Sequence, residues 1–375
     1  MKKKKIGDIV AITKGRKAQK VFEEKLPKAV RYIQIEDLRT DNKIQYTTDT
    51  TGTFVSMNDL CIAWDGANAG TVGYGLSGVI GSTIARLRIN DSEIYAPYIG
   101  HFLQSKFNIL NGRTTGTTIP HVERNRLEEL EFSCRPLSEQ RRVAAILDKV
   151  DAIRRKRQHS LKLTASLVKS QFIEMFGDPG TNPMGWERGT IRDIAADVRY
   201  GTSKPASENG KYAYLRMNNI TYGGELDLSD LKSIDVPDNE VEKYIVRNGD
   251  VLFNRTNSKE LVGKTCVFNS DTPMIIAGYI IRVRVNHRAT PTYLSAFLNS
   301  DYGKLTLRSM CKSIIGQANI NAQELQDIKI SIPPLELQNQ FARFVEQADK
   351  SKFVMQNQLS EIEILLSALK QKFFA

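Results

Sequence analysis

The chain has 375 residues, 53 Lys and Arg against 42 Asp and Glu, and a formal net charge of +11. That length makes two or three domains, and 41% hydrophobic with 25% charged residues excludes a small single module, a disordered chain and a collagenous one. The basic surplus points to a polyanionic partner and says nothing about fold. No apolar signal-peptide core follows the N-terminal lysines and no run of about 18 apolar residues occurs, so neither a leader nor a membrane span is expected, and the expected location is cytoplasmic. Cys61, Cys134, Cys266 and Cys311 stand far apart with no C-x-x-C pair, which predicts buried reduced thiols and neither zinc nor disulfides.

Taken in chain order, the first half of the sequence returns in the second. Ile6-Gly7-Asp8-Ile9 matches Ile191-Arg192-Asp193-Ile194, and Tyr32 to Leu38 matches Tyr214 to Ile220. Asn58 to Ile62 aligns with Asn248 to Leu252 after a one-residue gap, and Val72-Gly73 aligns with Val262-Gly263. Ile84 to Asn90 matches Ile280 to Asn286, and Pro136-Leu137-Ser138-Glu139-Gln140 matches Pro334-Leu335-Glu336-Leu337-Gln338. A repeat of that length is a duplicated domain and not a solenoid unit. In each copy Arg86 and Arg88, or Arg282 and Arg284, alternate with apolar residues, which predicts a half-buried strand. Gly and Asn/Asp clusters separate the strands, so each half opens as a mixed α+β domain.

Each half closes differently. After Pro334 the residues Phe341, Val345, Ala348, Lys352, Met355, Leu359, Ile362, Leu366, Leu369 and Phe373 alternate spacings of four and three, a heptad seam with one polar interruption. After Pro136 a looser stripe runs through Val143, Ile146, Leu147, Val150, Ile153, Leu161, Val168, Phe172, Met175 and Phe176, broken at Arg154 and Arg157. A helix of about 40 residues spans roughly 60 Å, and two such helices most simply pack on each other; the rival arrangement lays each on its own domain. The run Arg154-Arg155-Lys156-Arg157 reads either as a partner contact or as a solvated face.

No catalytic constellation stands in the sequence. Val262-Gly263-Lys264-Thr265 lacks the first P-loop glycine, which would fall at Ser258. No methyltransferase motif occurs, and His101, His121, His159 and His287 are scattered, which suits surface or capping positions. The expectation is no catalytic residue, no metal and no cofactor. The loops instead mix Arg, Lys, Asn, Gln, Thr, Ser and aromatic residues with glycine, the chemistry that contacts base edges and phosphates. In the first half these are Lys14 and Arg16 beside Gly15, Trp64 beside Gly66, and Arg113, Thr114 and Thr115 after Gly112. In the second they are Tyr200, Thr202, Ser203 and Lys204 around Gly201, then Arg255, Asn257 and Lys259, then Gln317 and Asn319 after Gly316. All are candidate DNA-binding residues. The candidate helix-packing residues are Val143, Leu147, Val150, Leu161 and Val168 on the first helix, with Val345, Ala348, Met355, Leu359, Ile362, Leu366 and Leu369 on the second.

Arg135-Pro136-Leu137-Ser138-Glu139-Gln140-Arg141-Arg142, continuing through Val143 to Asp148 and on to Phe172 to Pro179, resembles the central conserved helix of the specificity subunit of type I restriction-modification systems. Ile332 to Gln338 resembles the start of that family's second conserved helix, and Gly249 to Phe253 and Gly316 to Ile320 resemble its target recognition domains. The resemblance implies an α+β protein with a target recognition domain over 1–134, a central helix over 135–178, a second recognition domain over 179–332 and a C-terminal helix over 333–375. It further implies that the two helices form an antiparallel coiled coil separating the recognition domains, each of which reads half of a bipartite site in double-stranded DNA. The implied partners are two methyltransferase subunits docked on the helices, with restriction subunits joining through them. Two departures stand out: Thr117-Thr118-Ile119-Pro120 follows Gly116 where the family form contains Gln, and Leu337 stands where the first helix has Glu139. The alternative is a non-catalytic coiled-coil adaptor that binds nucleic acid without sequence preference.

Overall fold

The computed structural model describes residues 2–111, 120–258, 260–311 and 318–374. The chain divides into two compact units, Met1–Gln158 with Asn357–Ala375, and His159–Gln356.

In the first unit the strands are Lys2–Lys5 (β1), Val10–Lys14 (β2), Val30–Ile33 (β3), Gln45–Thr47 (β4), Phe54–Val55 (β5), Leu60–Ala63 (β6), Val72–Tyr74 (β7), Gly78–Ile80 (β8), Ile84–Ile89 (β9) and Glu131–Cys134 (β10). Its helices are Ala96–Ser105 (α1), Phe107–Leu110 (α2) and Arg124–Glu128 (α3), and Leu137–Phe176 (α4) then runs on into the second unit. There the strands are Glu187–Thr190 (β11), Ala195–Tyr200 (β12), Tyr212–Leu215 (β13), Lys232–Ile234 (β14), Ile245–Val246 (β15), Val251–Asn254 (β16), Thr256–Asn257 (β17), Thr265–Val267 (β18), Met274–Ile276 (β19), Ile280–Val285 (β20), Ala318–Asn319 (β21) and Lys329–Ile332 (β22). The helices are Ile191–Ile194 (α5), Asp238–Tyr244 (α6), Pro291–Asn299 (α7), Asp301–Met310 (α8), Ala322–Gln326 (α9) and Leu335–Phe374 (α10).

The duplication read from sequence is a duplication of topology. One sheet has the order β2-β9-β6-β7 in the first unit and β12-β20-β16-β18 in the second; the other is β4-β3-β8-β5 and β14-β13-β19-β15. In both, one parallel pair, β3 with β8 and β13 with β19, sits among antiparallel neighbours. The register corrects one alignment. Val72 pairs with Ile62 and Thr265 pairs with Phe253, so Thr265, and not Val262, is the counterpart of Val72.

The central sheet is buried on both faces. Leu60, Ile62, Ala85 and Leu87 face Tyr98, Ile99, Phe102 and Leu103 of α1, while Cys61, Ala63 and Ile84 face Ile33, Val55 and Ile80 of the other sheet. The half-buried strand expected from alternation is therefore wrong for β20, where Ile280 to Val283 are all buried. Arg282 is 0% exposed; its Nη1 donates to the Ile245 carbonyl and its Nη2 to Asp197 Oδ2 at 2.5 Å, which satisfies a charge that burial would otherwise penalise. Cys61, Cys266 and Cys311 are buried and Cys134 is half-buried, none of them in a disulfide; Cys311 Sγ donates to the Leu307 carbonyl, and burial pushes Cys61 and Cys266 up to about 12.

Pro136 and Pro334 directly precede the two long helices, where a missing N–H is harmless. No proline interrupts either helix. One turn in, each helix carries a fully buried glutamine that grips three backbone groups. Gln140 Oε1 accepts from Tyr95 N at 2.9 Å, and its Nε2 donates to the carbonyls of Glu93 and Arg135, both at 2.8 Å. Gln338 Oε1 accepts from Thr290 N at 2.8 Å, and its Nε2 donates to the carbonyls of Arg288 at 3.0 Å and Pro333 at 2.8 Å. The repeated Pro-Leu-x-x-Gln signature is a joint between helix and domain.

The heptad seam on α10 matches its burial. Phe341, Val345, Ala348, Lys352, Met355, Leu359, Ile362, Leu366, Leu369 and Phe373 are buried or half-buried, while the off-seam Phe353, Val354, Ile364 and Leu365 are exposed. On α4, Val143 and Leu147 are buried and Val150, Leu161 and Val168 half-buried, but Ile153 is 44% exposed and lies off the seam. Half-buried Arg154, Arg157 and Thr164 fill the places between. The helices run antiparallel within each unit. In the first, Arg135 Nη2 at the start of α4 donates to the Phe373 carbonyl at the end of α10; in the second, Phe172 and Phe176 at the end of α4 meet Phe341 near the start of α10. The rival arrangement holds only at the start of each helix, where Val143 and Leu147 join the first domain's core and Phe341 the second's; at their far ends Phe374 joins the first core and Phe172 and Phe176 the second, so each helix serves both domains. Lys352, the polar interruption, is ion-paired with Glu225 of the second domain.

Candidate nucleic-acid interface

The loops at one end of each central sheet are pinned by equivalent backbone bonds. Gly15 N donates to the Ile84 carbonyl at 2.9 Å, and Gly201 N to the Ile280 carbonyl at 3.1 Å, so Lys14 and Tyr200 occupy the same place in the two repeats. A Cβ on Gly15 would stand 2.3 Å from the Gly81 carbonyl oxygen, and one on Gly201 would stand 2.2 Å from that of Ile276, so both positions require glycine. Trp64 N donates to Thr83 and Arg255 N to Tyr279; the carbonyls of Trp64 and Arg255 accept from Val122 and Ile320. Trp64 and Arg255 are equivalent too.

These two positions hold a cation and an aromatic ring in both domains, with the roles exchanged. In the first, the Lys14 ammonium lies 5.4 Å from the Trp64 ring centre; in the second, the Arg255 guanidinium lies 4.9 Å from the Tyr200 ring centre. Each contact holds a long basic side chain in one orientation. Lys14 also pairs with Asp65 at 3.4 Å. Arg255 Nη1 lies 3.4 Å from the Gly278 carbonyl, and the Tyr200 hydroxyl accepts from Ala322 N at 2.7 Å.

The other candidates sort by exposure. Arg16, Ser203, Lys204 and Asn319 are exposed, and Lys204 pairs with Glu240 at 2.8 Å. Asn257 is half-buried, and its Oδ1 accepts from Ser258 N. Trp64, 7% exposed, and Thr202, 2% exposed, are too deep to reach a base edge. They act as supports: Trp64 as the platform under Lys14, and Thr202 Oγ1 as the acceptor for Lys204 N in the turn. Arg113, Thr114, Thr115, Lys259 and Gln317 lie outside the described residues. Sequence reasoning missed Tyr279, 55% exposed, on the turn that pins Arg255; flanked by Ala277 and Ile280 rather than polar residues, it offered only the adjacent Gly278 as a signal. It also misplaced His101. That residue is 1% exposed, not superficial, and its Nε2 lies 2.8 Å from the Tyr74 hydroxyl and 2.9 Å from Asp148 Oδ1, joining the first domain to α4. Among the described residues no group of three His, Cys, Asp or Glu is placed to hold a metal ion.

The profile of the family described as Type I restriction modification DNA specificity domain matches residues 1–163 and 183–364, one match for each repeat. The chain belongs to that family. It is 25% identical over 384 residues to the type I restriction enzyme MjaVIII specificity subunit of Methanocaldococcus jannaschii, covering 96% of this chain and 88% of that one. It is 22% identical over 380 residues to the EcoBI specificity subunit of Escherichia coli, covering 92% and 79%. Among solved structures, the type I restriction-modification S subunit from M. genitalium shares the fold with a TM-score of 0.63 and 16% identity, over 100% of this chain and 96% of that one. Each match thus covers one repeat of the duplicated domain together with most of the long helix that follows it. Among the described residues no helix is long and apolar enough to cross a membrane.

Proposed function

We propose that this specificity subunit selects the DNA sequence on which a type I restriction-modification complex acts, and adds no catalytic group of its own. Each domain reads one half of a bipartite duplex site through the loops around Lys14 and Trp64 or around Tyr200 and Arg255. The observation that carries this reading is the cation and ring pair held at one place in both repeats with its chemistry exchanged: the scaffold repeats while the group it presents differs, as two different half-sites require. The helices serve the partners. In the second unit Leu163, Leu167, Phe353 and Val354 are exposed on them, and in the first Ile153, Ile364 and Leu365. Apolar residues on an otherwise polar helix surface suit docking by a protein, here two methyltransferase subunits through which restriction subunits join. A subunit that selects DNA for such a complex would act in the cytoplasm.

Sequencing the duplexes that the full chain retains from a random pool tests this. Arg255→Ala relaxes one base position of one half-site, at about 1–3 kcal/mol of discrimination. Uniform weakening across all sequences would put Arg255 on phosphate. Exchanging 179–332 for the same span of another family member changes one half-site and keeps the other, whereas an adaptor that binds DNA without preference shows no change.

A further inference from the structure

In the second domain, Lys304 and Arg308 of α8 meet on Tyr222, and Lys264 and Lys169 lie within electrostatic reach of Lys304. Lys304 of α8 has its ammonium 5.5 Å from the Tyr222 ring centre and donates to the Gly263 carbonyl at 3.0 Å. Arg308, one turn further along α8, donates to the Tyr222 hydroxyl at 3.1 Å. Lys264, 8% exposed, donates to the Met217 carbonyl at 2.7 Å, and Lys169 of α4 completes the group. The acidic side chain in contact is Asp301, 95% exposed and 3.7 Å from Lys169; the ammoniums of Lys264 and Lys304 are held by backbone carbonyls.

Of the four, Lys264 and Lys304 are withdrawn from water while Lys169 and Arg308 are exposed, and two like charges are seldom buried together without a counter-charge. Burial pushes Lys304 down to about 8, with the positive charges of Lys169, Arg308 and Lys264 acting in the same direction. Burial also lowers Lys264. An anion placed among them would relieve both effects.

The first domain also gathers basic residues at the equivalent place, although there Arg154 and Arg155 are paired with Asp151 at 2.7 and 2.6 Å. Asn299 Nδ2 donates to the Thr265 carbonyl as Gln104 Nε2 does to Val72, so the ends of α7 and α1 are equivalent there. Beside Gln104 lies a cleft of about 960 Å³ lined by Arg39, Lys106, Arg154, Arg155 and Lys370, with Asp151 and Glu363 as its acids. Positive charge recurs at this flank although the residues that supply it do not.

We propose that Lys169, Lys264, Lys304 and Arg308 form a phosphate-binding site beside Tyr222, occupied by a backbone phosphodiester of bound nucleic acid or by a free phosphate. Only the first source rests on the DNA-reading role above. The experiment uses the full chain with two probes, inorganic phosphate and a random-sequence duplex, and two variants, Lys304→Gln and the exposed Lys169→Gln, which has little scope to disturb folding. Phosphate raises the melting temperature of the parent protein beyond sodium chloride of equal ionic strength, and both variants lose that excess. If DNA phosphate is the occupant, each variant also lowers the slope of log affinity against log salt by about one, equally for all sequences. A lost phosphate response with an unchanged slope identifies a free phosphate. If phosphate gives no excess and the slope is unchanged, the site is overturned; if in addition the variants weaken capture of the methyltransferase subunit, the cluster docks an acidic protein surface instead. Because the phosphate arm contains no DNA, it stands or falls separately from the Arg255 experiment.

Discussion

Gln338→Leu lowers the stability of the second domain by about 3–5 kcal/mol, since it leaves the Thr290 N–H and the Arg288 and Pro333 carbonyls without partners and each such buried group costs about 1–3 kcal/mol. Leucine matches glutamine in size, so packing changes little and the loss reports the polar contacts. Gln338 is 0% exposed, which denies water access to the orphaned groups. Urea unfolding of the full chain measures the effect, and exposed Gln340→Leu is the control, expected within about 0.5 kcal/mol of the parent. Gln140→Leu produces the same loss in the first domain, because its three contacts have the same pattern. A change below about 1 kcal/mol in both variants would show that the glutamines fill space and do not hold the joint.

Phe341→Ala has an effect of similar size through a different cause. Its ring lies 5.7 Å from Phe172 and 5.4 Å from Phe176; Phe172 stacks on Tyr293 of α7 at 5.8 Å, and Phe176 meets Tyr293 edge-on at 4.9 Å. Four rings from three helices therefore share one core at which the end of α4, the start of α10 and the second domain meet. Removing one leaves a cavity bounded by rigid neighbours and costs about 3–5 kcal/mol. Calorimetry of the full chain is the measurement, and Phe353→Ala, a seam-adjacent phenylalanine 63% exposed, should lie within about 0.5 kcal/mol of the parent. If Phe353→Ala proved the more destabilising, the orientation assigned to α10 would be wrong.

The duplication, the α+β class and the heptad of α10 were legible in the sequence because each depends on spacing along the chain. The buried face of Arg282 was not, because alternation is a statement about one face of a strand and the second sheet covers the other. Ile153 left the α4 stripe for a related reason: the helix buries the stems of Arg154 and Arg157 in its place, a use of long basic side chains that an apolar pattern does not register. Within the candidate interface, residue type located the right loops but could not separate the side chains that reach out from those beneath them. Trp64 and Thr202 share composition with true surface groups and differ only in depth. The exchange of cation and ring between Lys14 with Trp64 and Tyr200 with Arg255 was hidden because neither residue resembles its counterpart; only the shared backbone bonds reveal them as equivalent.

The side chains of the two buried glutamines hydrogen-bond to main chain alone: the amides of Tyr95 and Thr290 and the carbonyls of Glu93, Arg135, Arg288 and Pro333. A socket that grips only the peptide backbone is blind to which side chains its cargo carries. Any recognition domain that brings one free amide and one free carbonyl to those positions can be seated on the same shaft. Side chains on the recognition loops can therefore change without disturbing that grip. The joint thus gives a population of such subunits a mechanical basis for trading one address in DNA for another.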